Sequence, residues 1–313
     1  MREPSYIIGI DLGGTSVKLA LFKRKSKKII RRSTFSTNEF PSKDALLKKI
    51  VKSINSLISD SSLKKSSILG VGIGVPGPVD NKAGRVYYFP NIPGWKDVNL
   101  KKILQARLKL PVTVDNDTNL MALAELNFGL AKNAKNCLCL TLGTGVGGAL
   151  ILNGSLFRGS TSVAGEFGHV PISLNGPACN CGGRGCLERF IGNKRILAKA
   201  RMIFGKGISL EQLSQFAKRG ERKAISVWEE LGFYLGVALS GFVNIFNPDL
   251  IIIGGGLSGA GDCLFNKVRV TVKARAMKPH AEAVKILKAS LGPDAGLIGA
   301  GILADLSFAK KQK

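Results

Sequence analysis

One histidine and three cysteines stand close together in the second half of the chain. They are His169, Cys179, Cys181 and Cys186, and their spacing is H-x9-C-x-C-x4-C. Structural zinc is bound tetrahedrally by four nitrogen or sulfur ligands, and one imidazole with three thiolates is such a set. The glycines between the last two cysteines permit the tight turns that bring several sulfurs to one ion. The spacing therefore predicts a structural zinc site.

The three cysteines could instead be buried apolar side chains or partners in disulfide bonds. A buried apolar position does not explain a loop rich in glycine and polar residues. A disulfide needs an oxidising compartment, and nothing in the sequence indicates one. Two acids, Glu166 and Glu188, bracket the cluster. Their position indicates that the metal also shapes a binding site.

Two glycine-rich turns, DLGGT at Asp11–Thr15 and GTGVGG at Gly143–Gly148, each lie between two strand-like runs. A helix follows a Rossmann turn or a P-loop, whereas a strand follows here, so the pattern predicts two phosphate-binding hairpins. Glycine amides can approach a phosphate closely, and Asp11 at the end of the first strand could hold Mg²⁺. Each turn alone also fits an ordinary β-turn. Two hairpins of one design predict a duplicated α/β unit.

The run Asp115-Asn116-Asp117 stands where a predicted strand ends and a helix begins. We expect either Asp117 or Thr118 to cap this helix, and capping alone would explain the aspartate. In α/β folds, however, the carboxyl ends of strands are also where catalytic groups lie. A carboxylate at this place could accept the proton of a hydroxyl nucleophile.

The run PNIPGW at Pro90–Trp95 places Asn91 beside an aromatic residue in a rigid loop. That combination suits the hydroxyls and the apolar face of a sugar, and a turn with one packed tryptophan is the alternative. Elsewhere, apolar runs predict buried strands at 68–75 and 250–253. Apolar residues at helical spacing predict helices at 42–59, 193–204, 210–218, 221–246 and 296–306.

The chain has 313 residues, 45% of them hydrophobic and 21% charged, and a formal net charge of +25. This length allows two domains. The sequence shows no signal peptide and no apolar run of membrane-spanning length, so we expect a cytoplasmic protein with no membrane partner. The densest basic stretch, 23–32, lies between two strand-like runs and has no interleaved aromatic residues. We therefore expect a hairpin tip or a solvated strand edge, and no nucleic-acid partner. The positive charge would also attract an anionic substrate such as a nucleotide.

Together these motifs resemble the ROK family of repressors and sugar kinases, along nearly the whole chain. The motifs that carry the resemblance are DLGGT, GVPGPVD at Gly74–Asp80, PNIPGW, DND, GTGVGG, AGEFGH at Ala164–His169, CNCGGRGCLE at Cys179–Glu188 and GGG at Gly254–Gly256. The resemblance implies a duplicated, two-domain α/β fold of the actin-like ATPase class (sugar kinase, Hsp70 and actin) with a structural zinc loop. We expect a smaller N-terminal domain of residues 1–117 and 297–313, and a larger C-terminal domain of residues 118–296 with the zinc loop.

The resemblance also implies a homodimeric enzyme that phosphorylates the 6-hydroxyl of a hexose with ATP and Mg²⁺. By position, Asp117 would be the general base, and His169 would bind zinc through one ring nitrogen and present the other to the sugar. The residues expected at the sugar are Gly77, Asn91, Asn116, Asp117, Glu166, His169 and Glu188. Those expected at ATP and Mg²⁺ are Asp11, Gly13, Gly14, Thr15, Lys18, Gly143, Thr144 and Gly145, with Gly255 and Gly256 near the adenosine.

Several alternatives stay open within and beyond this class. The FPNIPGW and AGEFGH forms look most like glucokinases, so we expect glucose, with N-acetylglucosamine, N-acetylmannosamine or fructose as alternatives, and polyphosphate as an alternative donor. A sugar-sensing repressor would carry a DNA-binding domain before the first hairpin, and we expect no room for one before Tyr6. A structural ATPase of actin or chaperone type would share the hairpins but would have no use for the zinc loop.

Overall fold

The computed structural model describes residues 4–89 and 94–309. In this part of the chain the strands are β1 (Tyr6–Leu12), β2 (Ser16–Lys23), β3 (Ile29–Ser36), β4 (Ile68–Val75), β5 (Val79–Asp80), β6 (Arg85–Tyr88), β7 (Lys96–Asn99), β8 (Val112–Asn116), β9 (Cys137–Leu142), β10 (Val146–Leu152), β11 (Ser155–Phe157), β12 (Leu250–Gly254) and β13 (Lys285–Lys288). The helices are α1 (Lys43–Ser59), α2 (Leu100–Leu108), α3 (Asp117–Phe128), α4 (Glu188–Ile191), α5 (Asn193–Phe204), α6 (Leu210–Lys218), α7 (Arg222–Phe246), α8 (Asp262–Arg275), α9 (Lys278–Ala283) and α10 (Ala295–Phe308).

The chain divides into two compact units. Unit 1 comprises the described residues of Met1–Phe128, Arg158–Ala164 and Pro293–Lys313. Unit 2 comprises Gly129–Phe157 and Gly165–Gly292. The division falls elsewhere than the predicted domain boundaries, because α3 lies in unit 1 with α10. The two helices pack so closely that a Cβ added at Gly299 would overlap the carbonyl group of Leu120.

Unit 1 is built on a sheet whose described strands follow the order β3-β2-β1-β4-β8. The pairs β3–β2 and β2–β1 are antiparallel, whereas β4 runs parallel to both β1 and β8. Every residue of β4 is buried, as expected for a strand inside a parallel layer. A smaller antiparallel sheet of β5, β6 and β7 also belongs to unit 1.

Unit 2 repeats this design with the order β11-β10-β9-β12-β13. Its β9–β10 hairpin is antiparallel, and β12 runs parallel to both β9 and β13. The predicted duplication of an α/β unit is therefore confirmed. Each of the two glycine-rich turns joins the first and second strands of its own sheet.

Side chains of β1 alternate between the two faces of the unit 1 sheet. Ile8 belongs to the apolar cluster that includes the buried side of α1. Gly9 meets α10 instead, where an added Cβ would lie 2.6 Å from the carbonyl oxygen of Leu297. By the same alternation Asp11 faces α10, and its carboxylate lies beside Gly296 in the first turn of that helix. The alternation along β1 therefore directs Ile8 towards α1 and Asp11 towards α10.

Helices α7 and α8 form the main helical layer of unit 2. The apolar stripe along α7 is core, since Val227, Leu231, Leu235 and Leu239 have no exposed surface. Gly236 brings the two helices close, because a Cβ there would lie 2.5 Å from Cβ of Thr271. Within the described residues no helix, α7 included, is long and apolar enough to cross a membrane.

The basic stretch 23–32 forms the tip and part of the second strand of the β2–β3 hairpin, as predicted. Its charges are not simply solvated. Nε of Arg24 lies 2.8 Å from Oδ1 of Asp305 in α10, and Lys27 pairs with the same carboxylate. Arg32 pairs with Asp294 at 2.7 Å. Part of the positive charge therefore binds this hairpin to the C-terminal helix.

Replacing Gly299 with alanine should destabilise unit 1. The new methyl group would overlap the Leu120 carbonyl group, and overpacking of this kind costs about 1–3 kcal/mol. Gly241 of α7 is the matched control, because nothing lies within 4 Å of its added Cβ and alanine favours the helix. Urea unfolding of both variants measures the difference. A Gly299→Ala protein as stable as wild type would contradict the close packing of α3 and α10.

Candidate functional site

The four predicted zinc ligands come together in unit 2, with their ligand atoms all within 4.8 Å of one another. Sγ of Cys179 is 3.6 Å from Nδ1 of His169, and Sγ of Cys181 is 3.7 Å from Sγ of Cys186. Two Zn–S bonds of about 2.3 Å at the tetrahedral angle put two sulfurs about 3.8 Å apart. The cluster therefore has the donor types and the dimensions of a tetrahedral zinc site.

Backbone hydrogen bonds fold the loop that carries the cysteines. The N–H of Cys179 donates to the carbonyl oxygen of Gly183 at 2.8 Å, and the N–H of Gly182 returns to the carbonyl oxygen of Cys179 at 3.0 Å. Gly182 has a φ of +94°, which a residue with a side chain rarely adopts. The N–H of Ile172 donates to the carbonyl oxygen of Gly185 and ties the loop to the segment after His169.

The imidazole of His169 is oriented by this cluster. Its Nδ1 faces the sulfurs, and its Nε2 lies 3.9 Å from Oε2 of Glu166. That separation is too long for a direct hydrogen bond. The Glu166 side chain keeps 45% of its surface exposed. Even so, desolvation raises the pKa of its carboxyl, nearby His169 lowers it and the Glu188 carboxylate raises it, with a net value above the ordinary one.

Glu188 connects the cysteine loop with the second glycine-rich turn. It opens α4 directly after Cys186 and Leu187, and its Oε2 accepts a hydrogen bond from the N–H of Val146 at 2.9 Å. The same carboxylate oxygen would overlap a Cβ added at Gly145. One predicted sugar ligand is thus in contact with the turn that is predicted to hold phosphate.

Both glycine-rich turns are closed by backbone hydrogen bonds. The N–H of Gly13 donates to the carbonyl oxygen of Ser16, and the N–H of Gly143 donates to that of Gly145, each at 2.9 Å. In the second turn the carbonyl oxygen of Gly143 also accepts from the N–H of Asn193 at the start of α5, at 3.0 Å. These contacts give the predicted phosphate turns a defined backbone in each unit.

Asp11 and Lys18 stand opposite each other in the β1–β2 pair. Nζ of Lys18 donates to the carbonyl oxygen of Pro293 at 2.6 Å, so this amine is held just before α10. Desolvation raises the pKa of Asp11, Lys18 lowers it and Asp294 raises it, and the net value lies above the ordinary one. A carboxylate that is destabilised in this way gains from a bound cation.

The helix α3 is capped by Asn116, so the predicted cap at Asp117 or Thr118 is wrong. Oδ1 of Asn116 accepts from the N–H groups of Thr118 at 2.8 Å and Asn119 at 3.2 Å. Because β8 ends at Asn116, Asp117 is the first helical residue. Nδ2 of Asn116 donates to the carbonyl oxygen of Gly77 at 3.0 Å, which brings two predicted sugar residues together.

Asp115 and Arg158 were missed from the sequence. The Asp115 carboxylate has no exposed surface, and its Oδ2 accepts from Nε of Arg158 at 2.9 Å and from Nη2 at 2.6 Å. The available signals were an aspartate at the end of a buried strand and a basic residue six positions before Ala164. Neither signal identifies its partner.

The remaining predicted residues differ in how far the structure describes them. Gly255 has a φ of +81°, and an added Cβ would overlap the Leu142 backbone, whereas nothing lies within 4 Å of one added at Gly256. Asn91 lies outside the described residues. Trp95 is only 2% exposed and packs on Phe89 with ring centroids 5.3 Å apart. The tryptophan is therefore part of the core, as expected for a turn with one packed tryptophan.

Purified protein should contain one zinc ion per chain, and Cys181→Ser should lose it. Three ligands cannot close the tetrahedral set, so the loop should also unfold at a lower temperature. Cys263→Ser is the matched control, because Cys263 lies outside the cluster. Metal analysis and thermal melting measure both effects. Zinc-free wild-type protein, or a Cys181→Ser variant with unchanged zinc and melting temperature, would show that the cluster is not a zinc site.

Replacing Asp11 with asparagine should raise the melting temperature near neutral pH. Because the folded-state pKa of Asp11 is raised, its ionised form destabilises the folded protein. The gain should be absent well below about pH 4, where the carboxyl is protonated in both states, should grow as pH rises from the unfolded-state pKa to the folded-state pKa, and should be constant above it. Asp44→Asn should show the opposite sign, since hydrogen bonds from Arg107 and Lys48 lower the pKa of Asp44. A pH-independent difference for Asp11→Asn would refute this expectation.

Comparison with known proteins finds relatives along nearly the whole chain. The model of the ROK family matches residues 7–306. A glucokinase of Halalkalibacterium halodurans is 37% identical over 95% of this chain and 94% of its own, and a xylose repressor of Bacillus spizizenii is 31% identical over 95% of this chain and 76% of its own. The crystal structure of a ROK family glucokinase from Streptomyces griseus in complex with glucose and AMPPNP has a TM-score of 0.81 at 30% identity, over 96% of this chain and 99% of that one. The predicted actin-like fold class is thereby confirmed, and the chain belongs to the ROK family.

Proposed function

We propose that this chain is an ATP-dependent hexokinase that transfers the γ-phosphate of ATP to the 6-hydroxyl of glucose. One observation carries the proposal: the His–Cys₃ cluster holds His169 with Nε2 3.9 Å from Oε2 of Glu166, and a second carboxylate, Glu188, follows the last cysteine of the cluster by two residues. Such a group of donors and acceptors suits a polyhydroxylated ligand. Membership of the ROK family and 37% identity to a glucokinase support the same activity.

The gap between His169 and Glu166 has the dimensions of a hydroxyl site. Nε2 and Oε2 are 3.9 Å apart, and a hydroxyl oxygen can lie about 2.8 Å from both. It would donate to the carboxylate and accept from the imidazole N–H, because zinc on Nδ1 leaves the proton on Nε2. In the proposed enzyme these groups hold the sugar, and Glu188 holds a further hydroxyl while it supports the turn at Val146.

Asp117 is the base of the proposed reaction. It is half-buried at the first position of α3, where its Oδ1 accepts from the N–H of Thr118 at 2.7 Å. Asp115, two residues earlier, is an unsuitable base because donors surround both of its oxygens and it has no exposed surface. Asp117 would orient the 6-hydroxyl and take its proton as the oxygen attacks phosphorus.

The residues that we propose for nucleotide binding are those of the two glycine-rich turns, together with Asp11. The turns at 13–15 and 143–145 supply backbone N–H groups to the phosphates. Mg²⁺, when bound near Asp11, would neutralise charge on the phosphates, and the raised pKa of that carboxyl fits a group that awaits a cation. Positioning and charge stabilisation then supply most of the catalysis.

A sugar-responsive regulator is the second candidate function. The observation in its favour is the 31% identity to a xylose repressor over 95% of this chain. A regulator needs sugar binding without turnover, so catalytic rate separates the two candidates. The homodimer, the cytoplasmic location and the choice of ATP over polyphosphate stay predictions.

Asp117→Asn should keep sugar binding and lose turnover. Asparagine preserves the size of the side chain but accepts no proton, so kcat should fall by roughly 10²- to 10⁴-fold. Coupled kinetics measure kcat, and calorimetry measures glucose affinity, which should stay close to wild type. Asp60→Asn is the matched control, an exposed aspartate in the same unit after α1. A near-normal kcat for Asp117→Asn would remove this residue as the base.

A further inference from the structure

The Asp115 carboxylate is both buried and fully engaged. Its Oδ1 accepts from the N–H of Asn116 and from Nδ2 of Asn119, each at 2.8 Å. Its Oδ2 accepts hydrogen bonds from Nε and Nη2 of Arg158, and Nδ2 of Asn81 lies 3.4 Å from the same oxygen. Such partners offset the desolvation cost of a buried carboxylate. Arg158 supplies the formal positive charge, and 27% of its side-chain surface is exposed.

Arg158 belongs to a short loop that closes on itself. The N–H of Ala164 donates to the carbonyl oxygen of Arg158 at 3.0 Å, so the ends of segment 158–164 meet. Inside the loop, buried Ser162 has a φ of +67°, which is uncommon for a residue with a side chain. Such strain persists only where surrounding contacts enforce it. Segment 158–164 is part of unit 1 and leads into Gly165 and Glu166.

The same network reaches the turn that carries Asp117. Asn119 is held twice, through its N–H by Oδ1 of Asn116 and through its Nδ2 by Oδ1 of Asp115. The N–H of Asn116 is itself bound to Asp115. Residues on both sides of Asp117 are therefore fixed to one carboxylate, and that carboxylate is fixed to Arg158.

We infer that Arg158 and Asp115 are a positioning pair, whose ion pair fixes the turn at 116–119 and thereby the orientation of Asp117. The inference rests on the proposed hexokinase function, since it concerns how the base of that reaction is held. Neither residue touches the reacting atoms in this role. The shape of the guanidinium matters as well as its charge. Nε and Nη2 both donate to Oδ2, and the single amine nitrogen of a lysine cannot occupy both of these positions.

The test compares full-length wild type with Arg158→Lys and Arg158→Ala, and uses Arg24→Lys as the matched control. Arg24 forms another ion pair of unit 1, with side-chain exposures of 18% and 24% for Arg24 and Asp305. Both Arg158 variants should lower kcat by roughly 10- to 100-fold, with KM for glucose and for ATP changed less than about threefold. Lysine should recover part of the loss seen with alanine. Amide hydrogen exchange should become faster at residues 112–119 in the Arg158 variants and not in Arg24→Lys.

An Arg158→Lys or Arg158→Ala protein with kcat within about twofold of wild type, or with a loss confined to KM, would overturn the inference. If wild type phosphorylates no hexose, the proposed function fails. The inference about Arg158 and Asp115 is then tested by hydrogen exchange alone, and unchanged exchange at residues 112–119 in the Arg158 variants would overturn it. If neither variant folds, Asn119→Ala, which removes one donor to Asp115, takes their place. Its kcat must fall with unchanged KM, and an unchanged kcat overturns the inference.

Discussion

Four ligand atoms held within 4.8 Å of one another constrain the whole stretch from Glu166 to Glu188. Once Nδ1 of His169 faces the sulfurs, the ring can present only Nε2 to its other side, and Glu166 lies there at 3.9 Å. At the other end of the stretch, Cys186 places Glu188 against the N–H of Val146. The geometry of the four-ligand cluster thus sets the direction of the His169 ring, and the cysteine loop leads directly into Glu188.

In unit 1 the corresponding constraint is electrostatic. Asp115 and Asp117 are two residues apart, yet their surroundings give them different capacities. Asp115 has no exposed surface and is surrounded by donors, whereas Asp117 is half-buried at the start of a helix. Neighbouring carboxylates in unlike environments are a common way to divide structural and proton-transfer roles. Asp11 is a third case, because desolvation raises the pKa of its carboxyl.

The sequence was sufficient where the physics is local. The spacing of His169 and the cysteines, the paired hairpins and the apolar stripe of α7 are short-range patterns, and each formed as predicted. The cap of α3 was predicted one or two residues too late, because β8 ends at Asn116 and α3 begins at Asp117. Sequence propensities do not fix the end of a strand or helix to a single residue. Arg158 and Asp115 are 43 residues apart, a distance at which no periodicity connects them.

Long-range packing accounts for the remaining differences. Residues 118–128 belong to unit 1 because α10, from the far end of the chain, packs on α3 through Gly299. The roles of the site residues in catalysis stay predictions. They are tested most directly by incubating the purified protein with a panel of hexoses, ATP or polyphosphate, and Mg²⁺, and identifying the products by phosphorus NMR. We predict that glucose and ATP react with the highest kcat/KM and that the phosphate lies on the 6-oxygen; no phosphorylated sugar from any combination would contradict the proposed hexokinase activity.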